Sequence, residues 1–242
     1  MPEKSAAQRA KTYDAHRGRQ RRRIVDAARR LFDGRGIDRV RMAEITVASG
    51  LRASTVYQYF ANKDDIVWAI LNDAFEESSE RAIDSIEGAE TAHAKIAGIF
   101  EYMADELAKN PAKVRFLAQF DALYAHDWPA KRLLDLESRV HFQGFRYLKA
   151  LIGEGIADGS LRRDLDPDLT MQAVLNAVVG TQRRLASLGK KVELEYGQPV
   201  DRLLRETTRI ILLGLQAPRP QTVRRKSKPS RGNKRNTRRR VP

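Results

Sequence analysis

Residues 50–66, GLRASTVYQYFANKDDI, concentrate side chains that donate hydrogen bonds. Hydroxyl and phenol groups donate to phosphate oxygens, a glutamine amide can pair with adenine, and a lysine ammonium attracts phosphate. Val56 and Phe60, four residues apart, predict one apolar helix face that leaves the polar side chains outside. This pattern favours recognition of a phosphate-bearing partner. The candidate contacts are Ser54, Thr55, Tyr57, Gln58, Tyr59 and Lys63.

Patterns typical of catalysis and metal binding are missing from the sequence. The chain has no cysteine, its four histidines show no ligand spacing, and no phosphate-binding GxxxxGK[ST] loop occurs. The acidic run around Asp164 resembles a calcium loop, but it lacks the required glycine and closing acid, and Asp166 before Pro167 favours a helix cap. We therefore predict no catalytic residue, no metal, no cofactor and no enzymatic activity.

Positive charge is concentrated at the two ends of the chain. The net charge is +14, and residues 218–242 hold eleven Lys/Arg and no acid, while residues 1–23 carry +6. The remaining stretch is mildly acidic. Basic ends bind phosphate-rich partners or anionic membrane surfaces, although a solubilising tail has the same composition. No apolar stretch is long enough to span a membrane and no leader opens the chain, so we expect a cytoplasmic protein.

Helical periodicity dominates residues 24–217, and strand patterns are nearly absent. Gly36 and Gly50 are expected near the ends of the first two helices, and Pro111, Pro129 and Pro167 in first helical turns. The prediction is an all-α fold of nine helices, in which residues 129–158 form one long helix and residues 189–199 a polar loop.

The two short helices on either side of Gly50 predict a helix-turn-helix, whose second helix can enter the DNA major groove. On this prediction Val56 and Phe60 pack onto Ile45 and Leu51. An ordinary helical hairpin with surface tyrosines would show the same spacing, since such patterns are common.

Residues 24–66, IVDAARRLFDGRGIDRVRMAEITVASGLRASTVYQYFANKDDI, resemble the DNA-binding domain of the TetR (tetracycline-repressor-like) family of bacterial regulators. That family shows an ILDAA..LF...G first helix, an IA..AGVS second helix and turn, and a G.LY.YF.NK.EL third helix running into the fourth. The matching positions are Ala27, Ala28, Leu31, Phe32, Gly36, Ile45, Gly50, Val56, Tyr57, Tyr59, Phe60, Asn62, Lys63 and Ile66.

The resemblance implies a homodimer whose C-terminal domain binds a small molecule that releases DNA. It assigns phosphate contacts to Tyr57, Tyr59 and Lys63, and base reading to the surface of residues 52–59. The predicted domains are a flexible basic arm at 1–17, a DNA-binding domain at 18–78 with its helix-turn-helix at about 41–60, an effector-binding and dimerisation domain at 79–217, and a disordered tail at 218–242; the arm and the tail are inferred from their charge.

Three positions depart from the family pattern. Arg41 and Arg52 stand where a serine or threonine commonly caps a helix, so we expect a loss of roughly 1 kcal/mol at each. In return, both arginines offer contacts to phosphate or guanine. Thr46 replaces a small alanine where the two helices cross, which affects the expected crossing geometry.

The C-terminal region matches the family only loosely, through GIADGSLRRDLDPDLT. Two apolar stripes there predict a four-helix dimer interface, although both stripes could equally pack within one chain. The interface residues are Val174, Val178, Leu185, Leu204 and Ile211. A cluster of aromatic side chains suggests an apolar ligand pocket, with ordinary core packing as the alternative. The pocket residues are Phe100, Phe116, Gln119, Phe120, Tyr124 and Phe145.

The sequence thus predicts a nucleoid-associated transcriptional regulator, most simply a repressor that binds a palindromic operator as a dimer and is released by a small apolar ligand. The alternative is a ligand-independent architectural DNA-binding protein, in which the basic ends dominate and sequence preference is weak.

Overall fold

Eleven α-helices form the part of the chain that the computed structural model describes, residues 2–138 and 144–218. Side chains are described from residue 14 onward, except those of residues 137 and 144–146. No strand occurs in these ranges apart from one isolated bridge between Leu161 and Gln216, which confirms the all-α prediction. The helices are α1 (Pro2–Arg35), α2 (Met42–Ser49), α3 (Ala53–Tyr59), α4 (Lys63–Asp84), α5 (Ala92–Lys109), α6 (Pro111–Leu123), α7 (Ala130–Glu137), α8 (Gly144–Asp158), α9 (Pro167–Leu188), α10 (Lys190–Tyr196) and α11 (Val200–Leu215).

The helix count differs from the predicted nine in two places. Residues 129–158 contain two helices, α7 and α8, and the expected polar loop at 189–199 contains the short helix α10. In addition, α1 begins at Pro2, so the segment expected to be a flexible arm continues the first helix. Its alanine, glutamine, lysine and arginine residues all have high helix propensity. The basic tail from residue 219 onward lies outside the described residues.

Polar side chains cap the start of several helices. The side chains of Asn62, Thr91 and Asp166 accept hydrogen bonds from backbone N–H groups in the first turns of α4, α5 and α9. Each accepts from one of the N–H groups that a helix leaves unpaired at its start. The prediction that Asp166 is a helix cap is confirmed, and Asn62 fixes where α4 begins after α3.

Two apolar cores organise the chain. The N-terminal core joins α1–α4 to α6 and α7. Its large buried members include Ile24, Phe32, Ile45, Trp68, Phe116 and Phe120. The C-terminal core joins α5 and α6 to α8–α11. Its large buried members include Phe100, Leu107, Leu151, Leu161, Leu185 and Leu204.

Helix α6 contributes to both cores and so links the two halves of the chain. Its Phe116 stacks on Phe32 of α1, with ring centroids 6.4 Å apart, while its Val114 is buried in the C-terminal core. Arg115 of α6 also pairs with Asp33 of α1 at 2.8 Å. A displacement of α6 would therefore change its contacts with the C-terminal end of α1.

Candidate nucleic-acid interface

The turn between α2 and α3 depends on Gly50 and Arg23. Gly50 has φ of 63° and ψ of 28°, the left-handed conformation that closes a helix, and a side chain there would be strained. The Arg23 guanidinium donates to the carbonyls of Ser49 at 2.9 Å and Gly50 at 3.4 Å. A Cβ at Gly50 would lie 2.9 Å from that guanidinium. Thus α1 stabilises the C-terminal end of α2 and the turn.

The inner face of α3 packs as the sequence predicts. Val56 is fully buried and Phe60 is 5% exposed, and both lie in the N-terminal core with Ile45, while Leu51 packs against it. Each side chain of this size contributes about 1.5–3 kcal/mol when buried. The third helix is therefore fixed in orientation by its own apolar residues.

The outer face of α3 presents the predicted polar side chains. Ser54, Gln58 and Tyr57 are exposed, the last to 55%, while Thr55 and Tyr59 are half-buried. This face carries hydroxyl, phenol and carboxamide groups together on seven residues of helix. Such groups can donate to phosphates and to base edges in the major groove.

The start of α2 is stabilised by Glu44 in place of the missing hydroxyl cap. The Glu44 carboxylate accepts from the Arg41 backbone N–H at 2.8 Å and pairs with Arg35 at 2.5 Å. The Arg41 backbone hydrogen bond, together with the Arg35 guanidinium, holds the pKa of Glu44 below its usual value. At Arg52 no side chain caps α3.

Arg41 and Arg52 have exposed side chains at the beginnings of α2 and α3. Neither guanidinium forms an ion pair within 4.0 Å among the described side chains, in contrast to Arg35. The Thr46 hydroxyl at the helix crossing donates to the Met42 carbonyl at 3.0 Å, so it is satisfied within α2. The departures from the family pattern thus leave the helix-turn-helix intact.

Tyr59 and Lys63 make contacts within the molecule. The Tyr59 hydroxyl donates to Gln20 at 2.9 Å, and the Arg17 guanidinium lies 5.9 Å from the centre of the Tyr59 ring. Lys63 donates to the carbonyls of Ile37 at 2.8 Å and Asp38 at 3.4 Å. The sequence analysis assigned Tyr59 and Lys63 to phosphate contacts alone. It did not identify the roles of Gln20 and Arg23, because no local pattern indicates contacts between residues that lie 26 to 39 positions apart.

The predicted pocket residues whose side chains are described are distributed over both halves of the chain. Phe116, Phe120 and Tyr124 belong to the N-terminal core, where Phe120 packs edge-on against Trp68 at 5.3 Å. Gln119 bonds to the end of α1, accepting from the Ile37 N–H and donating to the Phe32 carbonyl. Phe100 lies in the C-terminal core, and the Phe145 side chain falls outside the described residues. An open cleft of about 550 Å³ lies elsewhere, near Leu161 and Pro218.

The predicted interface residues lie largely inside one chain. Val178 and Leu204 are fully buried and Leu185 is 4% exposed, all in the C-terminal core. Val174 and Ile211 are half-buried and pack against the same core. The three buried side chains face the chain's own core, and adjacent positions of both helices are exposed.

Two further searches cover the described residues only. None of their helices is both long enough and apolar enough to cross a membrane. Their His, Asp and Glu side chains form no cluster of three that could hold a metal ion.

Residues 24–70 match the sequence model of the bacterial regulatory proteins of the tetR family. The HTH-type transcriptional repressor KstR2 of Mycolicibacterium smegmatis is 26% identical over 161 residues, which cover 64% of this chain and 74% of that protein. The fatty acid metabolism regulator protein of Bacillus subtilis is 23% identical over 158 residues, covering 64% of this chain and 77% of that protein.

Among solved structures, the ketosteroid transcriptional regulator KstR2 of Mycobacterium tuberculosis has the same fold, with a TM-score of 0.63 and 20% identity. The alignment covers 82% of this chain and 95% of that protein. These comparisons confirm the resemblance that residues 24–66 carry. They also extend it, at the level of the fold, to the C-terminal helices, where the sequence alone matched loosely.

Proposed function

We infer that this chain, whose residues 24–70 form a tetR-family DNA-binding domain, is a transcriptional regulator that binds double-stranded DNA through α2 and α3. The observation that carries this conclusion is the outer face of α3. A rigid turn at Gly50 and an apolar inner face hold that short helix so that its hydrogen-bonding side chains are exposed together. This is the arrangement that a recognition helix needs.

We assign distinct roles to the side chains of this surface. Gln58, Ser54 and Thr55 face outward from α3 and read base edges, Gln58 by pairing with adenine. Tyr57, Arg41 and Arg52 donate to phosphates on either side. Lys63 has a third ammonium proton available beside its two carbonyl contacts, so it holds the loop after α1 and also contacts phosphate.

We propose that the regulator is a homodimer, so that two recognition helices read two half-sites of a palindrome. The interface is formed by the exposed faces of α9 and α11, next to the predicted stripes. On α11, Ile210 and Leu213 are 58% and 57% exposed, which is unusual for large apolar side chains on adjacent turns. On α9, Ala173, Ala177 and Gly180 are exposed and small enough for close helix contact.

We further propose that a small apolar ligand releases the DNA. The relatives are described as a ketosteroid regulator and a fatty acid metabolism regulator, so steroids and acyl chains are the classes to test first. A ligand seated among the C-terminal helices would act through α6, which bonds to the end of α1 through both Gln119 and Arg115. This regulator would act in the cytoplasm, on the nucleoid.

The base-reading role is tested by measuring affinities for a set of operator variants, each changed at one base pair. Gln58→Ala should lose discrimination at one position of each half-site, by about 1–3 kcal/mol, while the other positions keep theirs. Gln216→Ala, an exposed glutamine at the end of α11, is the matched control. Unchanged discrimination would remove Gln58 from the base-reading set.

The ligand proposal is tested by adding a ketosteroid or a long-chain fatty acyl compound to the protein–operator complex. Release of DNA together with a raised melting temperature of the free protein supports it. If neither the ketosteroid nor the fatty acyl compound releases the DNA, the proposal that these ligands control DNA binding is wrong.

A further inference from the structure

We propose that the arginine segment of α1, comprising Arg17, Arg19, Arg21, Arg22 and Arg23, is a second DNA-binding surface that contacts phosphates flanking each half-site. The proposal rests on the proposed function, since it extends the same DNA complex beyond the bases that α3 reads. It concerns residues that precede the tetR-family match, which begins at residue 24.

The segment is attached directly to the recognition helix. Gln20, at its centre, accepts the hydrogen bond of the Tyr59 hydroxyl, and Arg17 lies over the Tyr59 ring. One turn further along α1, the Arg21 guanidinium lies 5.6 Å from the centre of the Phe60 ring. Tyr59 is the last residue of α3, and Phe60 follows it directly. When α3 binds in the major groove, these contacts therefore place the arginine segment of α1 next to the DNA.

The charge of the segment is exposed to solvent. Five arginines occur within seven residues without an acid, and all five side chains are exposed. Arg21 reaches Asp73 only at 4.0 Å, and Arg23 binds the carbonyls at the end of α2. Among the described side chains, Arg19 and Arg22 form no ion pair. Guanidinium groups held on a rigid helix are pre-organised donors for phosphate.

The same residues do not suit a membrane surface. Between Asp14 and Arg23 the chain has no apolar side chain larger than that of Ala15. Helices that lie on membranes bury an apolar face beside their basic one. A purely basic stretch that continues a protein–DNA surface fits the regularly spaced phosphates of a duplex instead.

The test compares the full chain with the variant Arg17→Gln/Arg19→Gln/Arg22→Gln. Arg21 and Arg23 are kept because they pack on Phe60 and on the turn. Glutamine has nearly the helix propensity of arginine, and circular dichroism checks that α1 persists. The control Arg163→Gln/Lys190→Gln/Lys191→Gln removes the same charge from exposed positions in the C-terminal half of the chain.

Binding constants are measured between about 50 and 200 mM salt on two duplexes that carry the operator. One duplex is trimmed to the operator itself, and the other has flanks of about 10 base pairs on each side. On the flanked duplex, the slope of log affinity against log salt should fall by about 0.9 for each phosphate contact that the arginine variant loses. The trimmed duplex should show a smaller change, and the control variant should keep the slope of the unmodified chain on both.

The proposal would be overturned if the arginine variant had the same salt slope as the control variant. It would also be overturned if the slope changed equally on the trimmed and flanked duplexes, because the contacts would then lie inside the half-site. Loss of binding to phosphatidylserine-containing vesicles without a change on DNA would make the segment a membrane contact instead. Failure of the proposed function has a different signature. The unmodified chain would then bind the operator duplex and a duplex of scrambled sequence with equal affinity.

Discussion

The side-chain oxygen of Gln119 accepts a hydrogen bond from the backbone N–H of Ile37 at 3.1 Å. Ile37 is 2% exposed, so Gln119 supplies an acceptor to the backbone of a buried residue. The Gln119 amide also donates to the Phe32 carbonyl at 3.3 Å. One side chain of α6 thereby fastens the segment that connects α1 to the helix-turn-helix, although 82 residues separate the two partners in sequence.

Replacement of Gln119 by leucine should destabilise the protein. It leaves the buried Ile37 N–H without an acceptor, which costs about 1–3 kcal/mol and lowers the melting temperature by about 2–4 °C for each kcal/mol. Calorimetry measures the change, and Gln216→Leu at an exposed position is the control. If both variants melt alike, Gln119 does not hold the loop.

Alanine at Gly50 and at Gly34 should change stability in opposite directions. At Gly50 the left-handed backbone and the nearby Arg23 guanidinium make any side chain unfavourable, by about 1–2 kcal/mol. Gly34 lies within α1 with nothing within 4 Å of a built Cβ, so alanine there should stabilise by about 0.5–1 kcal/mol. Urea unfolding compares the two, and a stabilised Gly50→Ala would contradict the role given to the turn.

The two tyrosines of α3 should respond differently to loss of their hydroxyls. Tyr57→Phe should weaken binding to every DNA sequence by about 0.5–1.5 kcal/mol without changing the melting temperature, because its hydroxyl is exposed. Tyr59→Phe should also lower the melting temperature, because it loses the bond to Gln20. Anisotropy titrations and thermal melts separate the effects. A loss at Tyr57 confined to one base pair would mean that it reads a base.

An aspartate in place of Leu213 should separate the proposed dimer. The substitution places a charge on an exposed apolar position of α11, where it would be desolvated by a partner chain. Sedimentation should show monomers with far weaker operator binding. Leu194→Asp on α10, where the leucine is 87% exposed, should leave both the mass and the affinity unchanged. A dimeric Leu213→Asp protein would place the interface elsewhere.

Stability should fall in acid partly through Glu106. Burial disfavours its charge, but hydrogen bonds from Lys113 and Asn110 and the charges of Lys113 and Arg81 outweigh this and hold its pKa below the usual value. The carboxylate lies 3.0 Å from both Lys113 and Arg81. Because the folded pKa is the lower one, this stabilisation is complete above the unfolded pKa of about 4.3 and is lost as pH falls through the folded value.

Glu106→Gln should therefore cost about 1.5–3 kcal/mol at neutral pH and flatten the acid limb of the stability curve. Urea midpoints across the pH range provide the measurement. Glu80→Gln, at an exposed position on α4, should keep the shape of the curve. Parallel curves for the unmodified chain and Glu106→Gln would show that the cluster carries no pH dependence.

The helix-turn-helix was predictable because its signals are local. Val56 and Phe60 lie one turn apart, Gly50 marks the end of α2, and Asn62 marks the start of α4. Side chains such as Gln58 are exposed because those local choices fix the rotation of α3. Two elements were harder to predict. No glycine or proline marks the end of α7 at Glu137. Helix α10 is flanked by Gly189 and Gly197, but its polar composition is also typical of a loop.

The C-terminal predictions depended on partners that periodicity does not identify. An apolar stripe shows that a face is covered, but not whether the cover is the same chain, as for Val178 and Leu204, or a second copy. Phe116 and Phe120, which the aromatic pattern assigns to a pocket, pack against Phe32 of α1 and Trp68 of α4, and periodicity identifies neither partner. The missed contacts of Arg23, Gln20 and Gln119 all join residues distant in sequence.

Selection of genomic DNA fragments at near-physiological salt tests the central claim most directly. The full chain and a version ending at Ala217 would be compared, so that the basic tail is present in only one. The account predicts that both recover the same palindrome, because α2 and α3 read its bases. Broad recovery by the full chain that collapses when the tail is removed would contradict it and leave an architectural DNA-binding protein.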